Sequence, residues 1–573
     1  MPESYWVLLL ISLLLIALVF SKVKASLLFF SVAALLFLAG LLPEKDFLGS
    51  FSNSGLVTLM MVLISTIAIE KTWLIRKISI FISRGGSQQI MPRLGLSTLI
   101  ASAFLNNTAV VAGLTAAIKK NQEIPARKVL IPLSFLSILG GVCTLIGTST
   151  NLILNSFLID AGLKPLAFFD FLPIGVLAAL SGYVVIHLGS RWLEGSATTR
   201  QELNNSDYFV DARVLPESRL CGKTVLENGL RTLESLFLAE IVRGNTLIAP
   251  VSPTTEILEG DVLIFTGDVN NISQIREFHG LQIESDRSGH IPQNFTEVIV
   301  LPYSDLLGRS IKEIGFRARF DAAVVAIRRR GVKLSGKIGQ QELQSGDNLI
   351  LATGKDFFKH TQKDDFVQLN DIKIQDSMAD WKQFGAISSF VLAIFVSAVG
   401  FLDFFTALFI NLLFLVTFKI LRIEDIRNHF PAEIWLVIGS ALCITKSMEF
   451  TGLANSIGML LGPLLNSGGS TTALIVFYFA ALLLTQLVTN NAAAAMLAPI
   501  AIAFCTATAI PITPVFLALA YGASACFIFP YGYQTNLIVM AAGNYSQRDF
   551  FRLGVPLTLV YSIVCLMGLT FMF

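Results

Sequence analysis

Uninterrupted apolar runs constrain this chain more than any other feature. "YWVLLLISLLLIALVF" begins at Tyr5, "ASLLFFSVAALLFLAGLL" begins at Ala25, and similar runs recur toward the far end. A hydrocarbon core about 30 Å thick is crossed by about 20 such residues as a helix, whose backbone bonds are satisfied internally. Of 573 residues, 54% are hydrophobic and 14% are charged, against roughly 25% charged in soluble domains. Mean hydropathy is +0.68. The chain is predicted to be a polytopic α-helical membrane protein. Pro2 and Glu3, not a basic segment, precede the first run, and no small-residue cleavage site closes it before Lys22 and Lys24. It therefore reads as a retained span.

Charge sets the expected orientation. Lys and Arg gather in short connections: Lys71, Arg76, Lys77, Arg84 and Arg93, then Lys119, Lys120, Arg127 and Lys128, later Lys419, Arg422 and Arg427, and finally Arg548 and Arg552. The positive-inside tendency puts these in the cytoplasm of a multi-pass protein of the plasma (inner) membrane. The net charge of +2 argues for no nucleic-acid partner. None of the six cysteines forms a C-x-x-C pair, and the five histidines form no ligand cluster, so they read as packing residues without an organic cofactor or transition metal. A nucleophile–base pair is not visible either, which excludes an enzyme.

Polarity divides the chain into blocks. Residues 1–192 and 383–573 are apolar halves, and 193–382 carry most of the charge, opening with the polar linker "EGSATTRQELNNSD". That middle block repeats itself. "VLPESRLCGKT" from Val214 matches "VLPYSDLLGRS" from Val300, and "LEGDVLIFTG" matches "LQSGDNLILATG". Two α+β modules, 193–290 (with the linker) and 291–382, are predicted. Each resembles the TrkA-C (RCK-C) domain of potassium-conductance regulators, on Ser218, Gly222, Lys223, Gly260 and Asp261 in one copy and Ser304, Gly308, Arg309, Gly346 and Asp347 in the other. The resemblance implies a cytosolic regulatory or dimerising role, hence a homodimer and a small cytosolic ligand. No G-x-G-x-x-G follows a strand, so a dinucleotide role has little support.

The apolar halves also echo each other. "AIEKTWL" from Ala68 matches "SMEFTGL" from Ser447, "NNTAVVA" from Asn106 matches "TNNAAAA" from Thr489, and "GTSTNLI" from Gly147 matches "GYQTNLI" from Gly532. The separations are 379, 383 and 385 residues, in the same order. Repeated halves mark secondary transporters, which bind cargo and coupling ion where broken helices of the two repeats meet. Asn, Thr, Ser and Gly offer uncharged oxygens to a hard monovalent cation, and half-helix N-termini suit an anion. Lone polar residues of this kind are more often glue between helices. Two repeated sets, each beside glycine and near Pro499 or Pro530, point instead to a site, and Gly147 and Gly532 are expected to permit unwound backbone there.

On these motifs the membrane part resembles the divalent anion:sodium symporter family of the ion-transporter superfamily. The resemblance implies two inverted repeats, each with a re-entrant hairpin and a broken helix, working by alternating access. The family's Ser-Asn-Thr motif falls on Asn106, Asn107 and Thr108, and again on Thr489, Asn490 and Asn491. With Thr148, Ser149, Gln534 and Thr535 these are the implied anion-binding residues. The implied sodium ligands are Ser102, Asn106, Asn107 and Gly147 in one site and Thr485, Thr489, Asn490 and Gly532 in the other. Asn106 and Thr489 stand where the family has serine and Asn491 where it has threonine, which departs from the positions that touch carboxylates. The function expected is sodium-coupled uptake of a small divalent inorganic anion such as sulfate, regulated through the TrkA-C modules. A succinate- or citrate-like carboxylate remains the alternative. Rivals of another class are an RCK-regulated channel, though no Thr-Val-Gly-Tyr-Gly filter is present, and a nutrient sensor that does not transport.

Overall fold

The computed structural model describes residues 3–193 apart from 22, 84–88 and 121–125, and residues 378–573 apart from 455, 457–468 and 544. Between them it describes 209–230, 236–244, 246–248, 251–267, 278–283, 295–301, 304–329, 332–334, 338–344, 346–353, 357 and 365–368. The polar linker from Glu194 lies outside these residues. The chain separates into a helical membrane unit and a β-rich insert.

The protein is a multi-pass helical membrane protein. Among the described residues, seven helices are long and apolar enough to cross a membrane. The first half contains α1 (Glu3–Phe20), α2 (Ala25–Leu38), α3 (Glu44–Phe51), α4 (Ser54–Glu70), α5 (Leu74–Ser83), α6 (Ile90–Phe104), α7 (Asn107–Lys120), α8 (Ala126–Gly141), α9 (Ser149–Asp160) and α10 (Leu172–Gly189). The second contains α11 (Asp380–Ala398), α12 (Phe404–Thr417), α13 (Ile423–His429), α14 (Ala432–Phe450), α15 (Gly469–Leu487), α16 (Asn490–Thr508), α17 (Ile512–Ser524), α18 (Gln534–Ala542) and α19 (Gln547–Met572). On α1, Tyr5, Trp6, Leu9, Leu13, Ile16 and Phe20 are exposed, as lipid-facing side chains would be.

One order of elements recurs in both halves. A two-helix hairpin (α6–α7, α15–α16) turns through two residues, Leu105–Asn106 or Val488–Thr489. A helix interrupted by unwound backbone follows: α8–α9 across 142–148, and α17–α18 across 525–533. A long helix, α10 or α19, closes each half, and these two pack together. In each half the first arm of the hairpin lies against a glycine of the interrupted helix. A Cβ on Gly140 would sit 2.5 Å from the Leu99 carbonyl oxygen, and one on Gly522 would collide with that of Tyr478.

The phrase shared by Ala68 and Ser447 is a helix end. Thr72 Oγ1 donates to the Ile69 carbonyl at 2.7 Å and Thr451 Oγ1 donates to that of Ser447 at 2.7 Å, closing α4 and α14. Basic connections pair with acids of the opposite half: Lys24 with Glu433 at 3.3 Å, Lys71 with Asp425 at 2.6 Å and Arg127 with Asp549 at 3.3 Å.

The insert holds two five-stranded antiparallel sheets. Strands β1 (Phe209–Val214), β2 (Leu236–Arg243), β3 (Thr246–Ile248), β4 (Val262–Gly267) and β5 (Leu281–Ile283) form one, in the order β3-β2-β4-β1-β5. Strands β6 (Phe295–Val300), β7 (Ala322–Arg329), β8 (Val332–Lys333), β9 (Asn348–Thr353) and β10 (Phe366–Gln368) repeat that order. Phe209 pairs with Thr266 and Phe295 with Ala352, and the bulges at Leu238/Glu240 and Val324/Ala326 also correspond. The shared Gly-Asp has a physical reason. Gly260 (φ 80°) and Gly346 (φ 81°) take the left-handed turn. Asp261 and Asp347 then each grip an arginine with both oxygens, Arg243 at 2.9 and 2.9 Å and Arg329 at 2.8 and 2.8 Å.

The copies differ at Glu240, which stands where the second has Ala326. Glu240 is fully buried, neither of its oxygens has a hydrogen-bond partner among the described residues, and Asp211 pairs with the same residue of β4, Ile264. Burial, reinforced by the Asp211 charge, lifts its carboxyl from 4.5 to about 7. Since the folded value is raised, its stabilisation is full below 4.5 and is lost as pH rises through about 7. Amide exchange in β2 of the full chain, corrected for intrinsic rates, should show opening become easier by about 3 kcal/mol toward pH 8. In Glu240→Gln the trend should be flat. An equal pH trend in both proteins would exclude Glu240 as its source.

Candidate functional site

The repeated phrases lie where helices begin. α7 starts at Asn107, α9 at Ser149, α16 at Asn490 and α18 at Gln534. Each start leaves backbone N–H groups without intrahelical partners at the positive end of a helix dipole. Cross-half hydrogen bonds bring the four starts together. Asn107 Nδ2 donates to the Tyr533 hydroxyl at 2.7 Å, Thr108 Oγ1 donates to Gln534 Oε1 at 3.3 Å, and Ser149 Oγ donates to Asn491 Oδ1 at 2.9 Å. Thr148 also reaches the Tyr533 hydroxyl.

The sequence-assigned residues fall into distinct roles here. Asn106 is exposed and its Oδ1 accepts from the Thr108 N–H at 2.8 Å, while Thr489 caps α16 by accepting from Ala492 N–H at 3.3 Å. Both are helix caps in this structure. Ser102 is fully buried at the end of α6, and among the described residues neither its Oγ nor Asn107 Oδ1 has a hydrogen-bond partner. Thr485 is also buried, but its Oγ1 donates to the Ala523 carbonyl at 2.8 Å and lies 3.3 Å from Asn490 Oδ1. Thr535 is buried and Gln534 is exposed.

Gly147 and Gly532 are required for a reason other than the one expected. Neither has a positive φ, so unwound conformation does not demand glycine. Close approach does. A Cβ on Gly532 would sit 2.6 Å from both Cys526 Sγ and the Thr485 carbonyl oxygen, and one on Gly147 would collide with the Gly141 backbone.

Several residues were not singled out from sequence. Asn151 and Asn536, inside the repeated phrase, are fully buried and hold their unwound segments. Asn151 Nδ2 donates to the Thr144 carbonyl at 2.9 Å and Asn536 Nδ2 to that of Cys526 at 2.8 Å. Their recurrence was the signal that could have found them. Thr144, whose hydroxyl bonds the Ala103 carbonyl and accepts from Gly147 N–H at 3.1 Å, ties the loop to α6. Ser134 of α8 reaches Thr535 Oγ1 at 2.9 Å and Asn536 Oδ1 at 2.7 Å, and nothing repeated in sequence announced it.

Every residue named in this cluster is uncharged. Neutral oxygens suit a monovalent cation and converging helix starts suit an anion, which is the equipment of a secondary transporter. Residues 15–522 match the family described as citrate transporter (CitMHS), and the chain belongs to that family. It is a transport protein, not an enzyme. A Chlamydomonas reinhardtii protein provisionally named a sulfur deprivation response regulator is 29% identical over 576 residues, covering 95% of this chain and 97% of its own. The uncharacterized transporter sll0640 of Synechocystis is 27% identical over 560 residues, covering 93% and 91%. Sodium/sulfate cotransporter 2 of C. reinhardtii is 29% identical over 337 residues, covering 53% of this chain and 38% of that protein.

Proposed function

We propose that the chain takes up a small divalent inorganic anion, sulfate or one of its size, coupled to sodium by alternating access. The observation that carries this reading is the meeting of four helix starts from both halves around neutral oxygens, two of which, on Ser102 and Asn107, have no hydrogen-bond partner among the described residues. The anion would lie against the N-termini of α7, α9, α16 and α18, touching Thr108, Ser149, Asn491 and Gln534. The cation would be held by oxygens beneath. The names of the sodium/sulfate cotransporter and the sulfur deprivation regulator lend support to sulfur chemistry.

In this reading the halves 1–192 and 383–573 are inverted repeats, the hairpins are re-entrant, and the two sheets are TrkA-C modules on the cytoplasmic side of a plasma membrane, regulating a homodimer. The family description favours citrate as the competing cargo. The regulator's name favours a sensor that does not transport. Proteoliposomes separate these. Sulfate uptake should follow an inward sodium gradient and exceed citrate uptake. Equal uptake driven by a pH gradient in sodium-free buffer would remove sodium coupling, preferred citrate uptake would reassign the cargo, and no uptake of either would favour the sensor.

A further inference from the structure

The two walls of the site, the paired helix starts of the first half and of the second, are alike in sequence but unlike in reach. The 385-residue register of the repeated phrase matches Thr148 to Tyr533 and Ser149 to Gln534. Each exchange places a longer side chain on the second wall.

Tyr533 is fixed at both ends. Its backbone is pinned by Gly532, where a Cβ would sit 2.6 Å from both Cys526 Sγ and the Thr485 carbonyl oxygen. At the tip, its hydroxyl accepts from Asn107 Nδ2 at 2.7 Å and meets Thr148. Asn107 has no room to retreat, because its amide lies against Gly141, where a Cβ would sit 2.7 Å from Nδ2. The phenol ring therefore runs from the start of α18 to the starts of α7 and α9, between the two walls. Gln534 is held less firmly. It is exposed, and the bond its Oε1 accepts from Thr108 is 3.3 Å long.

A rigid ring in that place discriminates by size. A compact tetrahedral anion needs donors converging on one point, which neighbouring helix starts supply. A four-carbon dicarboxylate has two separated charged ends. With its ends against the helix starts of opposite walls, its carbon body would have to pass where the ring lies, and a filled space takes in further atoms only with strain. We infer that Tyr533 sets the size limit of the site: its ring admits a compact inorganic oxyanion and shuts out a dicarboxylate. This rests on the proposed anion uptake and goes beyond it by naming the residue that restricts the cargo.

Uptake of labelled sulfate and labelled succinate into proteoliposomes of the full chain, driven by an inward sodium gradient, tests it. Tyr533→Thr, which copies the first wall, should raise succinate uptake at least about tenfold over wild type. Tyr533→Leu, shorter and still apolar, should raise it too and serves where the threonine variant does not fold. Tyr533→Phe keeps the ring and should leave succinate excluded, whatever it does to sodium dependence. A folded threonine or leucine variant that stays closed to succinate would overturn the inference and leave sulfate uptake standing. So would a phenylalanine variant that admits succinate as readily as they do, since the hydrogen bond and not the bulk would then exclude it. A wild type that prefers succinate or citrate, or moves neither anion, would remove the proposed cargo and the size limit with it.

Discussion

Lys446→Ala should destabilise the membrane unit by about 3 kcal/mol. Lys446 on α14 pairs with Asp160 at the end of α9 at 3.3 Å, and Asp160 is only 9% exposed. Asn53 Nδ2 donates to the same Asp160 oxygen at 2.8 Å, while its own Oδ1 caps α4 by accepting from Gly55 N–H at 2.8 Å. One carboxylate therefore joins α4, α9 and α14. Without Lys446 it keeps, among the described residues, a single amide donor and faces Glu449, whose charge also interacts with it. Breaking a buried pair costs about 3–5 kcal/mol; Lys446 is 23% exposed, which favours the lower end. The double variant Lys446→Met, Asp160→Asn should recover most of the loss, because the new amide oxygen still accepts from Asn53. Unfolding of the detergent-purified proteins measures both. If the double variant is as unstable as Lys446→Ala, the loss comes from packing of the lysine stem and not from charge.

That ion pair shows what a sequence read by repeats misses. Residues 160 and 446 belong to different halves, and neither lies in a repeated phrase. Nothing local in the sequence pairs them, because their meeting depends on how α9 packs against α14. The same holds for Ser134, a serine with no echo. By contrast the phrase Gly-x-x-Thr-Asn-Leu-Ile was legible because it joins unwound backbone to a helix start twice, and each copy needs the same residue types. Its glycines were noticed for the wrong reason. Conformation can be guessed from a lone glycine, but close approach of Gly532 to Cys526 and Thr485 requires knowing what lies opposite. The insert was the most legible part. Each sheet uses the same left-handed glycine and the same arginine clasp, so pattern and cause recur together.

The site itself is best tested at Asn107, where both ends of one amide have separate duties. Nδ2 is held by Tyr533 from the other half, and Oδ1 is buried with no donor among the described residues. Asn107→Ala removes a cation ligand and the bond joining the walls. In a desolvated site one lost partner costs about 1–3 kcal/mol, so half-maximal sodium should rise roughly tenfold to a hundredfold. Tyr533→Phe leaves the Asn107 oxygen in place but frees the amide to turn, so a rise in the same direction but smaller is expected. Ser102→Ala should follow Asn107→Ala. Thr485→Ala should also raise half-maximal sodium, because the Thr485 hydroxyl, while donating to the Ala523 carbonyl at 2.8 Å, keeps its lone pairs for a cation beside Asn490 Oδ1. Residues that were merely glue between helices would behave otherwise: expression and thermal stability would fall, and the surviving protein would titrate with sodium normally. Sodium titrations of uptake by well-folded Asn107→Ala and Tyr533→Phe decide between these. A normal titration in both would mean that the cation binds elsewhere and that the amide of Asn107 serves packing alone.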